Sequence, residues 1–197
     1  MMNIKLKYSG ALAHPVLDEA QKMCAWLRHF AANLPAETAN GERIPCAVPP
    51  EQVRALICGL EQHMRAEQES GNSPAFDVQE GMPLKHLFAP GAYGRQITVP
   101  KDHWVIGKIH KHAHLNFLMQ GRVAVLTEDG LMVMQAPFSF VSRPGAKRLV
   151  LALEETVWAT VHLTSETDLS RIEDEVIAKD YSEVPQIELQ NVKELML

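Results

Sequence analysis

Apolar residues recur at alternating steps of four and three through Val16, Ala20, Met23, Leu27 and Phe30, which predicts an amphipathic helix that starts near His14-Pro15 and stops at Asn33-Leu34-Pro35. A linker of small and polar residues follows (AETANGERIPCAVPP), and Pro49-Pro50 opens a second helix with Val53, Leu56, Ile57, Leu60 and Met64 on one face. The stretch QESGNSP closes it. Such helices need a partner surface: each other, the rest of the chain or a second subunit. From about residue 83 the texture changes to short runs rich in β-branched and aromatic residues: PLKHLFAPGAY, RQITVP, HWVIGKIH, NFLMQGRVAVLTEDG, LMVMQAP, FSFVSRPG, KRLVLALE and TVWATVHLT. Turn signals such as Glu128-Asp129-Gly130 and Pro144-Gly145 separate them, so consecutive strands are expected to be antiparallel hairpins or jelly-roll connections. SETDLSRIEDEVIAK then reads as a capped helix, with Thr167 or Asp168 as N-cap and Leu169, Ile172, Val176 and Ile177 on its apolar face. The tail beyond Pro185 is expected to add a strand or to pair with a partner. The pattern divides the chain into a helical region, residues 1–78, and a mostly β region with its own short helix, residues 79–197.

Composition narrows the function classes. The 197 residues, 46% of them hydrophobic, suit one domain or a domain with an appendage. With 19 basic and 24 acidic residues the formal charge is -5, and no basic stripe exists to follow a phosphate backbone, so nucleic acid is not expected as a partner. Cys24, Cys46 and Cys58 are odd in number and form no C-x-x-C pair, which argues against a disulfide framework or a zinc ribbon and for a reducing cytoplasm. No apolar run approaches the ~20 residues of a membrane span, and MMNIKLKYSG lacks the apolar core of a signal peptide.

Four of the nine histidines lie between positions 103 and 114, and three alternate as His110, His112 and His114. On an extended strand alternate side chains share a face, so all three can point the same way. Converging imidazoles make a site for a first-row divalent metal; a solvent-facing strand accounts equally well for alternation alone.

The stretch GKIHKHAHLNFLMQGRVAVLTEDG, followed by APFSFVSRPGAKRLVLA, resembles the two motifs of the cupin superfamily. There the first motif is a histidine pair, a glutamate and, six residues on, a glycine, and the second is a Pro-Gly turn followed by a histidine. Anchored on Gly121, the glutamate slot falls on His114, the second histidine slot on His110 and the first on Lys108. Anchored on His110 and His112, the glutamate slot falls on Asn116 or Phe117. In the second motif Pro144-Gly145 matches the turn, but Arg148 takes the histidine slot and stays protonated, so it cannot ligate. HLFAPGAY, the His110 to His114 spacing, APFSFVSRPGAKR, TVWATVH and the acidic helix that follows are similar to cupin-like proteins of tailed bacteriophages and prophages.

The resemblance implies a cupin (RmlC-like) jelly-roll β-barrel preceded by two α-helices and followed by a short C-terminal helix. It also draws in His162, which shares a strand face with Trp158 and Thr160. The implied metal ligands are His110 and His114 with His162 or His112, and the metal is iron, manganese, nickel or zinc. A set of neutral ligands leaves a divalent metal its full charge and open positions. Arg148 is then placed to hold a carboxylate or phosphate, with Lys108 and Trp158 as further ligand-binding candidates, a combination similar in ligand type to the thiol dioxygenases. An ion pair to Glu128, Asp129 or Glu154 is the plainer role for Arg148. His103 suits a turn or rim, His86 and Tyr93 suit support of the metal ligands or, more plainly, strand packing, Met119, Met132 and Met134 suit the core, and His14, His29 and His63 suit the surface or an interface. The expected partners are a small polar molecule and, by fold analogy, a second copy of the chain in a homodimer. The rival expectation is a non-catalytic protein that captures a metabolite or engages a host protein through its helices.

Overall fold

The structure, a computed structural model, describes residues 15–34, 40–46, 48–70 and 81–184. His14, the N-terminal segment, parts of the two linkers and the tail beyond Pro185 lie outside the described residues. The described residues are mostly β, forming two five-stranded sheets, a two-stranded pair and three α-helices of eight residues or more.

The helices are α1 (Pro15–Ala32), α2 (Pro50–Glu69) and α3 (Leu169–Val176). One sheet runs β1 (Arg43–Ile44), β8 (Gly130–Gln135), β7 (Arg122–Thr127), β10 (Leu149–Ala152), β4 (Trp104–Ile106). The other runs β2 (Leu84–Ala89), β3 (Ala92–Val99), β11 (Thr156–Leu163), β6 (His114–Gln120), β9 (Phe138–Ser142). Two short strands, β5 (Ile109–His110) and β12 (Ile177–Ala178), pair with each other. Setting aside the added edge strands β1 and β2, the orders β3-β11-β6-β9 and β4-β10-β7-β8 are the interleaved pairings of a jelly roll, in which the chain alternates between two antiparallel sheets.

The sheets differ in how they are covered, and the sequence pattern follows. Val123 and Val125 of β7 and Val150 and Ala152 of β10 face the other sheet and share its core with Ile97, Val99, Leu118 and Trp158. Their neighbours Ala124, Leu126, Leu149 and Leu151 face outward and are buried under Leu27 of α1 and Val53, Ile57, Leu60 and Met64 of α2. A sheet covered on both faces needs apolar residues at every position, hence the unbroken runs RVAVL and LVLA. The second sheet is covered on its inner face alone: along β6 His114, Asn116 and Leu118 are buried while Leu115, Phe117 and Met119 remain 36 to 46% exposed.

Ion pairs fasten α2 to this scaffold. The buried Glu128 carboxylate accepts from Arg54 of α2 and from Arg143, and Asp129 accepts from Arg143 Nε at 3.0 Å. Buried Lys147 donates to Glu61 of α2 at 2.6 Å. Glu128 and Asp129 are thus spoken for by Arg54 and Arg143, and among the described residues Arg148 makes none of the ion pairs, to Glu128, Asp129 or Glu154, that the sequence offered.

The expected strand pieces are cut differently in space. NFLMQGRVAVLT is two strands in different sheets, broken at Gly121, whose φ of 84° is open to glycine and whose Cβ position would collide with the Glu155 carbonyl. HWVIGKIH breaks at Gly107-Lys108 into β4 and β5. The acidic segment forms α3, with Asp168 as N-cap accepting from the Ser170 and Arg171 amides. Ile172 and Val176 pack on Tyr93, whereas Leu169 stays 44% exposed. Among the described residues no helix is long and apolar enough to cross a membrane.

Candidate metal centre

Three histidines meet at one end of the sandwich: His110 from β5, His114 from the start of β6 and His162 from β11. Their ring centroids lie 4.1 Å (His110 to His114), 4.9 Å (His110 to His162) and 4.7 Å (His114 to His162) apart. One nitrogen from each ring falls within 4.8 Å of the others, a separation that one ion can bridge.

His110 and His114 converge by a turn and not by strand alternation. The His110 backbone is held on both sides: its carbonyl accepts from Gly145 N at 2.9 Å, and it pairs with Ile177 of β12. Lys111 N donates to the Val176 carbonyl, and Lys111 Nζ to that of Asp174, at 2.9 and 2.8 Å. The chain then bends at Lys111-His112 before β6 begins, so His112 swings outward and is exposed. The shared face expected for all three alternating histidines is therefore not formed, and His112 stands outside the cluster. Its contribution is its backbone carbonyl, which accepts from His114 Nδ1 at 3.2 Å.

That bond sets the tautomer of His114. A carbonyl can only accept, so Nδ1 carries the proton and Nε2 keeps its lone pair. His114 Nε2 and His110 Nδ1 are both buried without a hydrogen-bond partner. Buried polar nitrogens left unpaired cost about 1–3 kcal/mol each, and a metal shared by the three rings would relieve that cost. Burial pushes the His114 imidazole down to about 3, with His162 and Arg148 reinforcing and the His112 carbonyl opposing. Burial also lowers His162, to about 4, with help from Arg95 and His112. His110 is lowered further by burial, then by His114, His162 and the two arginines. All three rings are therefore neutral at pH 7, the form that ligates. The residues fit a divalent metal of the imidazole-binding kind.

A cavity of about 60 Å³ opens beside the triad at His110, between the sheets. Its walls are apolar, with Ile97, Val99, Val105 and Val150 among them, and its charged lining residues are Arg95, Lys108 and Arg148. Arg148 is buried, donates to Ser142 Oγ, and sits 5.7 Å from the Phe140 ring centre. Lys108 lines the cavity but is paired with Glu173 of α3. Trp158 lines it too, its indole N–H satisfied by Asn116 Oδ1 at 3.1 Å. Asn116 occupies the slot that one motif register assigned to glutamate, and it faces inward, while Phe117 faces out.

Arg95 is not among the residues that the motifs single out. Its signal was present in AYGRQITV: Tyr93, Ile97 and Val99 share one face of β3, and Arg95 is the charged residue in that series. Tyr93 does both things open to it: it packs against α3, and it stacks 6.4 Å from His162 and bonds to His86 Nδ1 at 2.7 Å, a brace behind the triad.

No protein-family model matches the chain, and no curated protein matches it. Solved structures to which it is similar include an acetylacetone dioxygenase from Acinetobacter johnsonii, at 17% identity over 42% of this chain and 60% of that one, TM-score 0.36. KdgF from a Halomonas species shares 17% identity over 47% of this chain and 86% of its own, TM-score 0.39. An RmlC-like cupin from Shewanella frigidimarina shares 16% over 47% and 83%, TM-score 0.39. The chain spans less than two thirds of the dioxygenase. At these scores the likenesses add nothing to the topology and the site read directly from the chain.

Proposed function

We propose that the chain is a metal-dependent cupin (RmlC-like), of the kind carried by tailed bacteriophages and prophages, that binds a small polar molecule and transforms it in the bacterial cytoplasm. The observation that supports this most is the triad of buried His114 and His162 with half-buried His110, two of whose rings carry, among the described residues, an unpaired buried nitrogen. The motif resemblance and the free state of Cys24, Cys46 and Cys58 agree with it.

A bound iron, manganese, nickel or zinc ion supplies Lewis acidity. The chain's own residues do the rest. The three rings stay neutral through burial and present lone pairs inward. The His112 carbonyl holds the His114 ring with its proton pointing away from the centre. Val105, Val150 and Trp158 wall off bulk water, and Arg148 offers a planar fork to an anionic group of the ligand. Oxygenation, isomerisation and hydrolysis all begin from such an arrangement.

Metal content by plasma mass spectrometry on untagged protein prepared without chelator tests the reading. We expect near one equivalent of one transition metal, lost in His110→Ala/His114→Ala. Absence of metal from wild type, with a native fold, overturns it. A second reading is favoured by Lys108 and Arg148 in motif positions where a histidine is usual: a non-catalytic protein that captures a metabolite or engages a host protein. Such a protein keeps its full ligand affinity after chelation.

A further inference from the structure

The lumen cavity carries a charge imbalance that the triad does not explain. Every charged residue lining it is cationic, and no described carboxylate lines it. Lys108 is neutralised by Glu173. Arg95 and Arg148 are not: among the described residues neither guanidinium makes an ion pair, and the carboxylates that act on them, Glu173 on Arg95 and Asp129 on Arg148, do so without an ion-pair contact. Arg148 is 8% exposed, and its charge-bearing end meets one neutral hydroxyl, Ser142 Oγ. Burial lowers Arg148 to about 10, which still leaves it protonated at pH 7.

Arg148 is buried and Arg95 partly so, and a cation taken out of water without an ionic partner is costly, by several kcal/mol where burial is complete. The strand register keeps them there. Arg95 stands on β3 opposite Thr160 of β11, on the inward face shared with Tyr93 and Ile97. Arg148 stands beside β10, next to Ser142, which pairs with His114 across β9 and β6. The electrostatic reach of the two differs: Arg148 acts on His110 and His114, Arg95 on His110 and His162. Both line the one cavity, together with His110 of the triad.

We infer that the cavity is built for a small dicarboxylic acid, one carboxylate taken by Arg95 and the other by Arg148, with the carbon skeleton against Ile97, Val105 and Val150. Two charges are needed because a monoanion leaves one guanidinium buried and unpaired. Carboxylate suits the planar two-donor fork of each arginine, and no described helix N-terminus lines the cavity to cradle a phosphate. A volume of about 60 Å³ displaces on the order of five waters, which limits the acid to a few carbons. The inference names the ligand class for the site proposed above and rests on the cavity being its ligand site; it does not require the metal.

Titration calorimetry with malonate tests it, on metal-free and on metal-loaded full-length protein, with the uncharged isostere malonamide and inorganic phosphate as the other probes. Malonate is expected to bind one to one to the metal-free protein and malonamide to show no heat. Arg95→Gln and Arg148→Gln are each expected to weaken malonate by about 10- to 100-fold, the worth of one charged hydrogen-bonded contact, with melting temperatures confirming that each variant folds. Equal affinity for malonate and malonamide, tighter binding of phosphate than malonate, or no malonate heat in either metal state overturns the inference. Malonate binding to protein that takes up no metal upholds it while the metal reading fails, so the two stand apart.

Discussion

Acid is the sharpest probe of the triad. In an unfolded chain each imidazole titrates near ~6.5; in the fold His114 titrates at about 3 and His162 at about 4, with His110 pushed lower still. Below pH 6.5 the unfolded chain therefore takes up protons that the folded chain refuses. Stability rises with pH wherever the unfolded state binds more protons, so it falls as the solution is acidified through this window. At pH 5 the solution is about one and a half units below the unfolded value, which at ~1.36 kcal/mol per unit is about 2 kcal/mol for each histidine that stays neutral in the fold. The three together cost about 6 kcal/mol, comparable to the whole ~5–15 kcal/mol that holds a domain folded. The figure needs only that the rings stay neutral in the fold at pH 5. The depressed carboxylates, Glu61 and Glu173 among them, exact their loss below their unfolded values near ~4.3 and so fall outside the window. Urea unfolding of metal-free protein at pH 7.5 and pH 5.0 measures the difference. Wild type is expected to lose about 6 kcal/mol between the two, and His162→Gln about 2 kcal/mol less. His86, also lowered by burial, adds to the wild-type loss but cancels in that comparison. A wild-type loss under about 1 kcal/mol, or an identical loss in His162→Gln, refutes the account of three buried neutral rings.

Three further outcomes follow from the scaffold. Gly121→Ala forces a side chain into a left-handed backbone and against the Glu155 carbonyl, so a loss of at least about 2 kcal/mol, or a melting point lower by roughly 4–8 °C, is expected; a shift under 1 °C contradicts it. Burial alone would raise the Glu61 carboxyl, but hydrogen bonds from Lys147 and Arg65 outweigh it and hold it low; Glu61→Ala strands a buried lysine and should cost about 3–5 kcal/mol in denaturant unfolding, part of which Lys147→Met restores. Ile57→Ala opens a cavity where α2 meets the helix-covered sheet and should cost about 2–5 kcal/mol; a loss below 1 kcal/mol would mean that the helices do not share the sheet's core.

Much of the fold was legible because it repeats locally. The stripe on α2 was readable from spacing, and Val53, Ile57, Leu60 and Met64 are the residues buried there. The change to strand texture near residue 83 was equally plain, and the helix cap was narrowed to Thr167 or Asp168, of which Asp168 is the one used. The break at Gly121 was hidden, because a glycine inside an apolar run looks the same whether the strand continues or crosses to another sheet. The site was legible in residue type and not in geometry. Alternation placed His112 beside His110 and His114, yet the bend at Lys111-His112 exists only because the ends of β5 are bonded to β12 and to the Pro144-Gly145 turn, contacts that span 35 residues or more between His110 and Gly145 and between His110 and Ile177.

By itself, then, the sequence determined the kinds of element, the faces that must be covered and the kind of chemistry on offer: imidazoles, a short supply of carboxylates, and Arg148 in a motif slot. Periodicity and capping act over a few residues, and so they can be read from a few residues. Tertiary structure alone decided which histidines meet, that His112 serves through its backbone, and that Arg95 joins Arg148 in one cavity while Glu128 and Asp129 go to Arg54 and Arg143. Those choices depend on burial and on which strands pair across the jelly roll. Both are properties of the closed fold, where low dielectric makes every unpaired charge and every orphaned nitrogen count.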